Sequence, residues 1–228
     1  EEGSEVFGSY LKVLYNAYRY FNRDKDFKVN IDIKDVWKEC PDIWSERKCY
    51  AGNIFSWMFL GNLVHTSTTL LRRDRLEKVG FFNTDLKPSG EDYDFHLRTC
   101  LEGEVAYLDI PLIRYRIGAS DQLTSKKYMV WIARNNLKTV IRMLSTAGSK
   151  ISLPKKMICR RVARSYAWLG KEELLIDPKA ARSNFWQSLK NNPVQAEILV
   201  LYLLSSLPLT VIRLIKNFRD KFKRLTVE

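Results

Sequence analysis

Two carboxylates stand side by side in Gly90-Glu91-Asp92-Tyr93-Asp94-Phe95-His96-Leu97-Arg98, where a glycine releases the chain into an amphipathic run. Phe95, Leu97, Cys100 and Leu101 supply an inner face and Gly103 a stop, so the pattern predicts a helix over 91–102 with Glu91 and Asp92 in its first turn. Free backbone N–H groups and the helix dipole at such a position favour an ionised carboxylate. A carboxylate at a loop–helix junction can take the proton of a substrate hydroxyl within hydrogen-bond reach. First-turn acids also serve helix stability alone, so spacing by itself leaves both readings open. Glycoside hydrolysis fits poorly, because its two carboxyl groups stand about 5–10 Å apart on opposite faces of a sugar and sequence neighbours rarely do.

The elements that must position this pair are read outward from it. Segment 13–21, rich in aromatic and branched residues, predicts a strand, and 22–26 a polar turn. Segment 32–49 shows no clean period and predicts a loop with short helical turns. The run 62–72 (NLVHTSTTLLR) predicts a strand buried on both faces. Asp74 with Glu77 resembles a capping box, opening a short helix that Gly80 closes. A loop punctuated by Pro88 and Gly90 leads to the carboxylate helix, and short strands at 105–108 and 112–117 follow it. From Thr124 the pattern is helical to the end, which predicts an α/β unit with a helical appendage. Inside the appendage Asp177 is placed to cap a helix that has Pro178 at its first position and Pro193 beyond its end. The spacing of small and aromatic residues there resembles one tetratricopeptide-type hairpin; since such arrays need several copies, it is read as an unspecialised helical pair.

Composition narrows the classes. The 228 residues allow one large domain or two small ones, and 46% apolar content excludes a disordered chain. Because the sequence opens on Glu1 rather than Met, it is read as a piece of something longer. Cys40, Cys49, Cys100 and Cys159 form no close pair and only His65 and His96 accompany them, which argues against zinc and for buried or incidental thiols in a reducing, cytoplasmic setting. The formal charge of +12 is concentrated late, after an apolar stretch rather than among interleaved aromatics, and favours a membrane surface over a nucleic acid. The apolar stretch 198–207 falls short of the ~20 residues needed to span a bilayer. Beyond it, 209–219 sets apolar residues at helical spacing opposite bases. That fits a helix lying in a membrane interface, with peripheral contact through 196–224, or equally an amphipathic helix packed on its own protein.

Several motifs occur in a fixed order: Thr66-Ser67, Arg72-Arg73, Leu76-Glu77, Val79-Gly80, Glu91-Asp92-Tyr93-Asp94, Leu97-Arg98 and Tyr115-Arg116. This order over roughly half the chain resembles the second half of the catalytic domain of inverting, family 2 glycosyltransferases of the GT-A fold. The resemblance implies an α/β acceptor-side part of such a domain over 1–123, without its nucleotide-binding half, followed by a helical tail over 124–228. It implies transfer of a sugar from a nucleotide-sugar to a glycan or lipid-linked acceptor with inversion, in a bacterial cell-envelope or polysaccharide setting at the cytoplasmic face of the membrane. Asp92 resembles that family's general base, with Glu91 orienting it or the acceptor. Arg116, Arg72 and Arg98 become candidates to neutralise phosphate, although pairing with carboxylates suits each as well. His65 is a candidate contact to the donor sugar, although a hydrogen-bonded core histidine suits it as well, whereas His96 is placed opposite the active face in a structural role. The divalent metal, Mn or Mg, that the family holds through Asp-x-Asp is expected from the missing half. Asp24-Lys25-Asp26 and Asp92-Tyr93-Asp94 fit that motif by letters but not by position. Gly118 stands where many relatives carry a histidine after Tyr-Arg, so no metal ligand is assigned to this chain. The alternative to an enzyme is a non-catalytic remnant of such a domain that binds a partner or membrane.

Overall fold

Asn53 opens the part of the chain that supports the carboxylates: its Oδ1 accepts the Phe55 N–H at 3.1 Å and starts a short helix. In this computed structural model, which describes residues 38–39, 49–108, 113 and 126–225, the elements run as follows. Strands β1 (Lys38–Glu39) and β2 (Cys49–Gly52) precede helices α1 (Phe55–Leu60), α2 (Arg73–Val79) and α3 (Glu91–Leu101) and strand β3 (Val105–Leu108). Helices α4 (Met129–Ala147), α5 (Lys155–Glu173), α6 (Pro178–Asn191), α7 (Ala196–Leu204) and α8 (Leu209–Leu225) complete the described chain.

The chain divides into two compact units, Glu1–Ser125 with Arg142–Leu153, and Lys126–Ile141 with Pro154–Glu228. In the first, β2 pairs antiparallel with both β1 and β3, with Cys49 opposite Leu108 and Gly52 opposite Val105. Tyr50 and Tyr107 face each other across this ladder with ring centroids 6.3 Å apart. Helix α1 is apolar almost all round because almost all of it is covered: Phe55, Met58, Phe59 and Leu60 are buried. Helix α3 packs against it, with Tyr93 and Leu97 of α3 both buried and the Tyr93 hydroxyl reaching α1.

The α/β expectation is overturned. Among the described residues 70% are helical and the sheet is a small antiparallel one of short strands, so this is a mostly helical protein rather than half of a GT-A domain. One cause is local. Segment 62–72 is not a buried strand but an irregular, mostly exposed stretch interrupted by a tight turn at Thr66–Thr68, with Leu63 buried and Leu70 fully in solvent. Its threonines look strand-forming, yet their hydroxyls satisfy nearby backbone: Thr68 Oγ1 donates to the His65 carbonyl and Thr69 Oγ1 to that of Thr66, both at 2.7 Å. Asn62 Oδ1 accepts the Val64 N–H at 3.2 Å. Such side chains compete with a ladder for the same backbone groups. The capping box is also absent: Asp74 lies inside α2 and pairs with Arg72, while Glu77 pairs with Arg73. Segments 13–21 and 112–117 fall largely or wholly outside the described residues.

Two arginines lock α2 and α3 together reciprocally. Arg75 donates to the carbonyls of Thr99, Gly103 and Glu104 at the end of α3. Arg98 of α3 donates to the carbonyls of Val79 and Phe81 just past α2. Each satisfies groups that a helix end leaves without an intrahelical partner.

The second unit follows helical packing rules closely. Asp177 Oδ1 accepts the N–H groups of Lys179 and Ala180 at 3.0 Å, and Pro178 sits at the first position of α6. Helix α5 meets α6 at Gly170, where a Cβ would come within 2.7 Å of the Phe185 ring; no other residue permits that approach. Ala167, Ala181, Phe185 and Ile198 form the core around this contact.

Candidate active site

Gly90 holds a left-handed backbone, φ 105°, that turns the chain into α3, so Glu91, Asp92 and Asp94 all fall in the first turn. The side chain between them fixes where the helix begins. Tyr93 is buried and its hydroxyl donates to the carbonyls of Met58 and Phe59 at 2.9 and 3.0 Å, capping the end of α1. Asp94, 0% exposed, is held by Arg98 at 3.0 Å and by Arg142 from the end of α4. With Tyr93 and Asp94 directed into the protein, Asp92 is left half-buried at its edge.

Both Asp92 oxygens are oriented. Oδ1 accepts the Tyr93 N–H at 2.7 Å, and Oδ2 accepts from Asn62 Nδ2 at 3.1 Å at a solvent-exposed position. The Asn62 amide is itself committed, because its oxygen takes the Val64 N–H and its nitrogen must therefore face Asp92. Each carboxylate oxygen retains a lone pair for an incoming hydroxyl. Beside it, Glu91 is half-buried with Oε2 shielded from solvent and without a hydrogen-bond partner. A buried acceptor left in this way costs about 1–3 kcal/mol.

His96 corrects the sequence reading. One helical turn after Asp92 it lies not on a remote face but within electrostatic reach of that carboxylate and of His65. It is 3% exposed, and its Nε2 is 3.1 Å from Thr66 Oγ1. Burial pushes its pKa below the usual 6.5; Asp92 opposes that shift and His65 adds to it. The ring is therefore neutral at pH 7, bonded to the loop that also carries Asn62.

The structure thus gathers Glu91, Asp92 and His65 with Asn62, Thr66 and His96, and leaves the other candidates elsewhere. Arg72 is almost fully exposed and forms a two-pronged pair with Asp74, holding that carboxyl below its ordinary range. Arg98 is spent on Asp94 and two carbonyls, a structural clamp rather than a phosphate ligand. Arg116 lies outside the described residues, as do Asp24 and Asp26. Asn62 and Thr66 were missed because they sit in the run read as a strand; the signal for His96 was its i+4 spacing from Asp92.

Among the described residues no three His, Cys, Asp or Glu side chains gather at metal-binding positions, so they do not by themselves build the divalent-cation site that the resemblance implies. Cys100 and Cys159 are free thiols, and burial raises the pKa of Cys100 to about 12, which makes it inert. No helix among the described residues is long and apolar enough to cross a membrane. No protein-family model, curated protein or solved structure matches the chain.

Proposed function

We propose that Asp92 is the general base of a glycosyl transfer, acting within the natural protein that contains this sequence. The hydroxyl of a glycan or lipid-linked acceptor gives its proton to an Asp92 oxygen as its own oxygen bonds to the anomeric carbon of a nucleotide-sugar. The bond from that carbon to the diphosphate breaks on the opposite face, and the nucleoside diphosphate leaves with the electron pair, inverting the centre. Asn62 keeps the base aligned, and Glu91 stands beside it to orient the base or the acceptor. Positioning of the two substrates supplies much of the rate in such a transfer. Free thiols and a nucleotide-sugar substrate both suit the cytoplasm.

The observation that carries this reading is the fixed, solvent-facing geometry of Asp92 while its neighbours Tyr93 and Asp94 are turned inward. The ordered motifs from Thr66 to Tyr115-Arg116 support it. It rests on the site and not on a GT-A architecture.

The test is turnover of a panel of UDP-, GDP- and dTDP-sugars with glycan and polyprenyl-phosphate acceptors, read as nucleoside diphosphate released. Asp92→Asn keeps the shape and is expected to lower the rate by about 10²–10⁴-fold, with unfolding midpoint unchanged. Equal turnover by the variant removes Asp92 from the chemistry. Silence of the natural protein across the panel favours the non-catalytic alternative.

A further inference from the structure

The second unit leaves apolar side chains in solvent where a bundle would ordinarily bury them. At 3.6 residues per turn, Val211, Leu214, Ile215 and Phe218 fall on one stripe of α8 about 100° wide. Had this helix packed on its own protein through that stripe, those residues would be covered. Instead Val211 and Ile215 are exposed, and Leu214 and Phe218 are 68% and 72% exposed. The helix is attached through a different side: Ile212, beyond the edge of the stripe, is only 4% exposed. Helix α7 repeats the arrangement, with Ile198 in the core and Leu199, Val200 and Leu203 facing outward within another 100° arc.

The charges along this helix are nearly all of one sign. Arg213 and Lys216 are exposed along the helix, and the sequence adds Arg219, Lys221, Lys223 and Arg224 against a single acid, Asp220. A second copy of the chain would set six further bases beside these six. A surface carrying phosphate would compensate them. The helix is too polar to span a bilayer and has the composition of one that lies in its interface.

We propose that α8, assisted by the outer face of α7, docks the protein on an anionic lipid bilayer. Leu214, Ile215 and Phe218 enter the boundary of the acyl region, and the flanking bases meet headgroup phosphates. Attraction of this kind is screened by salt while the apolar contribution is not, and both are needed for firm binding. This inference does not depend on the role of Asp92.

Co-sedimentation with extruded vesicles tests it, using phosphatidylcholine alone and phosphatidylcholine mixed with phosphatidylglycerol. The expected result is binding to the mixed vesicles that weakens with added salt. Leu214→Ser with Phe218→Ser should reduce that binding at least about tenfold, and Lys216→Glu should reduce it further still. Asp92→Asn should leave it unchanged, which separates failure here from failure of the catalytic reading. The three substituted surface side chains are exposed, so helical circular dichroism should be retained. Absence of binding to the mixed vesicles overturns the proposal. So does binding that the double serine variant preserves, or a concentration-dependent dimer that the same variant abolishes without any lipid binding.

Discussion

Helices Glu91–Leu101 and Leu209–Leu225 are both amphipathic, and they depart from the usual division of polar and apolar side chains in opposite directions. The first buries polar groups: Asp94, His96 and Thr99 are covered, and each has a named partner. The second exposes apolar ones, with Leu214 and Phe218 in solvent. Exposed leucines are common singly, but a covered carboxylate or a continuous uncovered stripe is informative. On the first helix the buried polar groups fix the register so that one carboxylate, Asp92, is presented outward. On the second the uncovered stripe is itself what the helix presents. A helix of the first kind should be sensitive to loss of a polar atom, and one of the second insensitive to loss of an apolar one.

The sharpest way to break this contrast is Asp94→Ala. Removing the carboxylate leaves Arg98 and Arg142 partly covered and without their counter-ion, and loss of one partner from a buried pair typically costs about 3–5 kcal/mol. The loss should appear as a lower urea midpoint with an unchanged slope. A change under about 1 kcal/mol would mean that Asp94 does not anchor the helix that presents Asp92.

A smaller effect is expected from His96. Its folded-state pKa lies below the unfolded 6.5, so below that pH the unfolded chain binds more protons than the native one. The contribution of this group to stability is therefore complete above about pH 6.5 and declines as pH falls toward the folded value. His96→Gln retains a hydrogen bond to Thr66 without titrating, and should flatten the difference between urea midpoints at about pH 7.5 and about pH 5.5. Persistence of the full difference in the glutamine variant would assign it to other groups.

Legibility in the sequence followed the range of the interactions involved. The limits of α3, its closing Gly103, the strand Val105–Leu108 and the Asp177–Pro178 start of α6 were readable, because a cap, a stop or a short period is written in adjacent residues. Segment 62–72 was not, since Thr66, Thr68 and Thr69 carry the β-branching of a strand and the hydroxyls of a turn, and the hydroxyls prevailed. The larger error, an α/β half-domain, came from extending a local likeness of motifs to an architecture. Of the candidate site, the place of Glu91 and Asp92 at a helix start was readable. The supports Asn62 and Thr66 stand 30 residues from the side chains they touch, and no local pattern announces that pairing. Pairing of Arg98 with a carboxylate was one of its two readings, but its carbonyl partners at Val79 and Phe81 were hidden for the same reason, because they become neighbours only on folding.

The smallest effect sharpens the comparison from the other side. Leu214→Ser with Phe218→Ser removes two large apolar side chains, which in a core would cost several kcal/mol. On the exposed stripe of α8 little area returns to water when the side chains are cut back, and serine is only slightly poorer than leucine as a helix former. The change in unfolding free energy in the absence of lipid should therefore stay within about 0.5 kcal/mol per site. A loss of about 2 kcal/mol or more would show that the stripe is covered by the protein itself in solution. It would then place α8 with α3, as a helix held by what it buries.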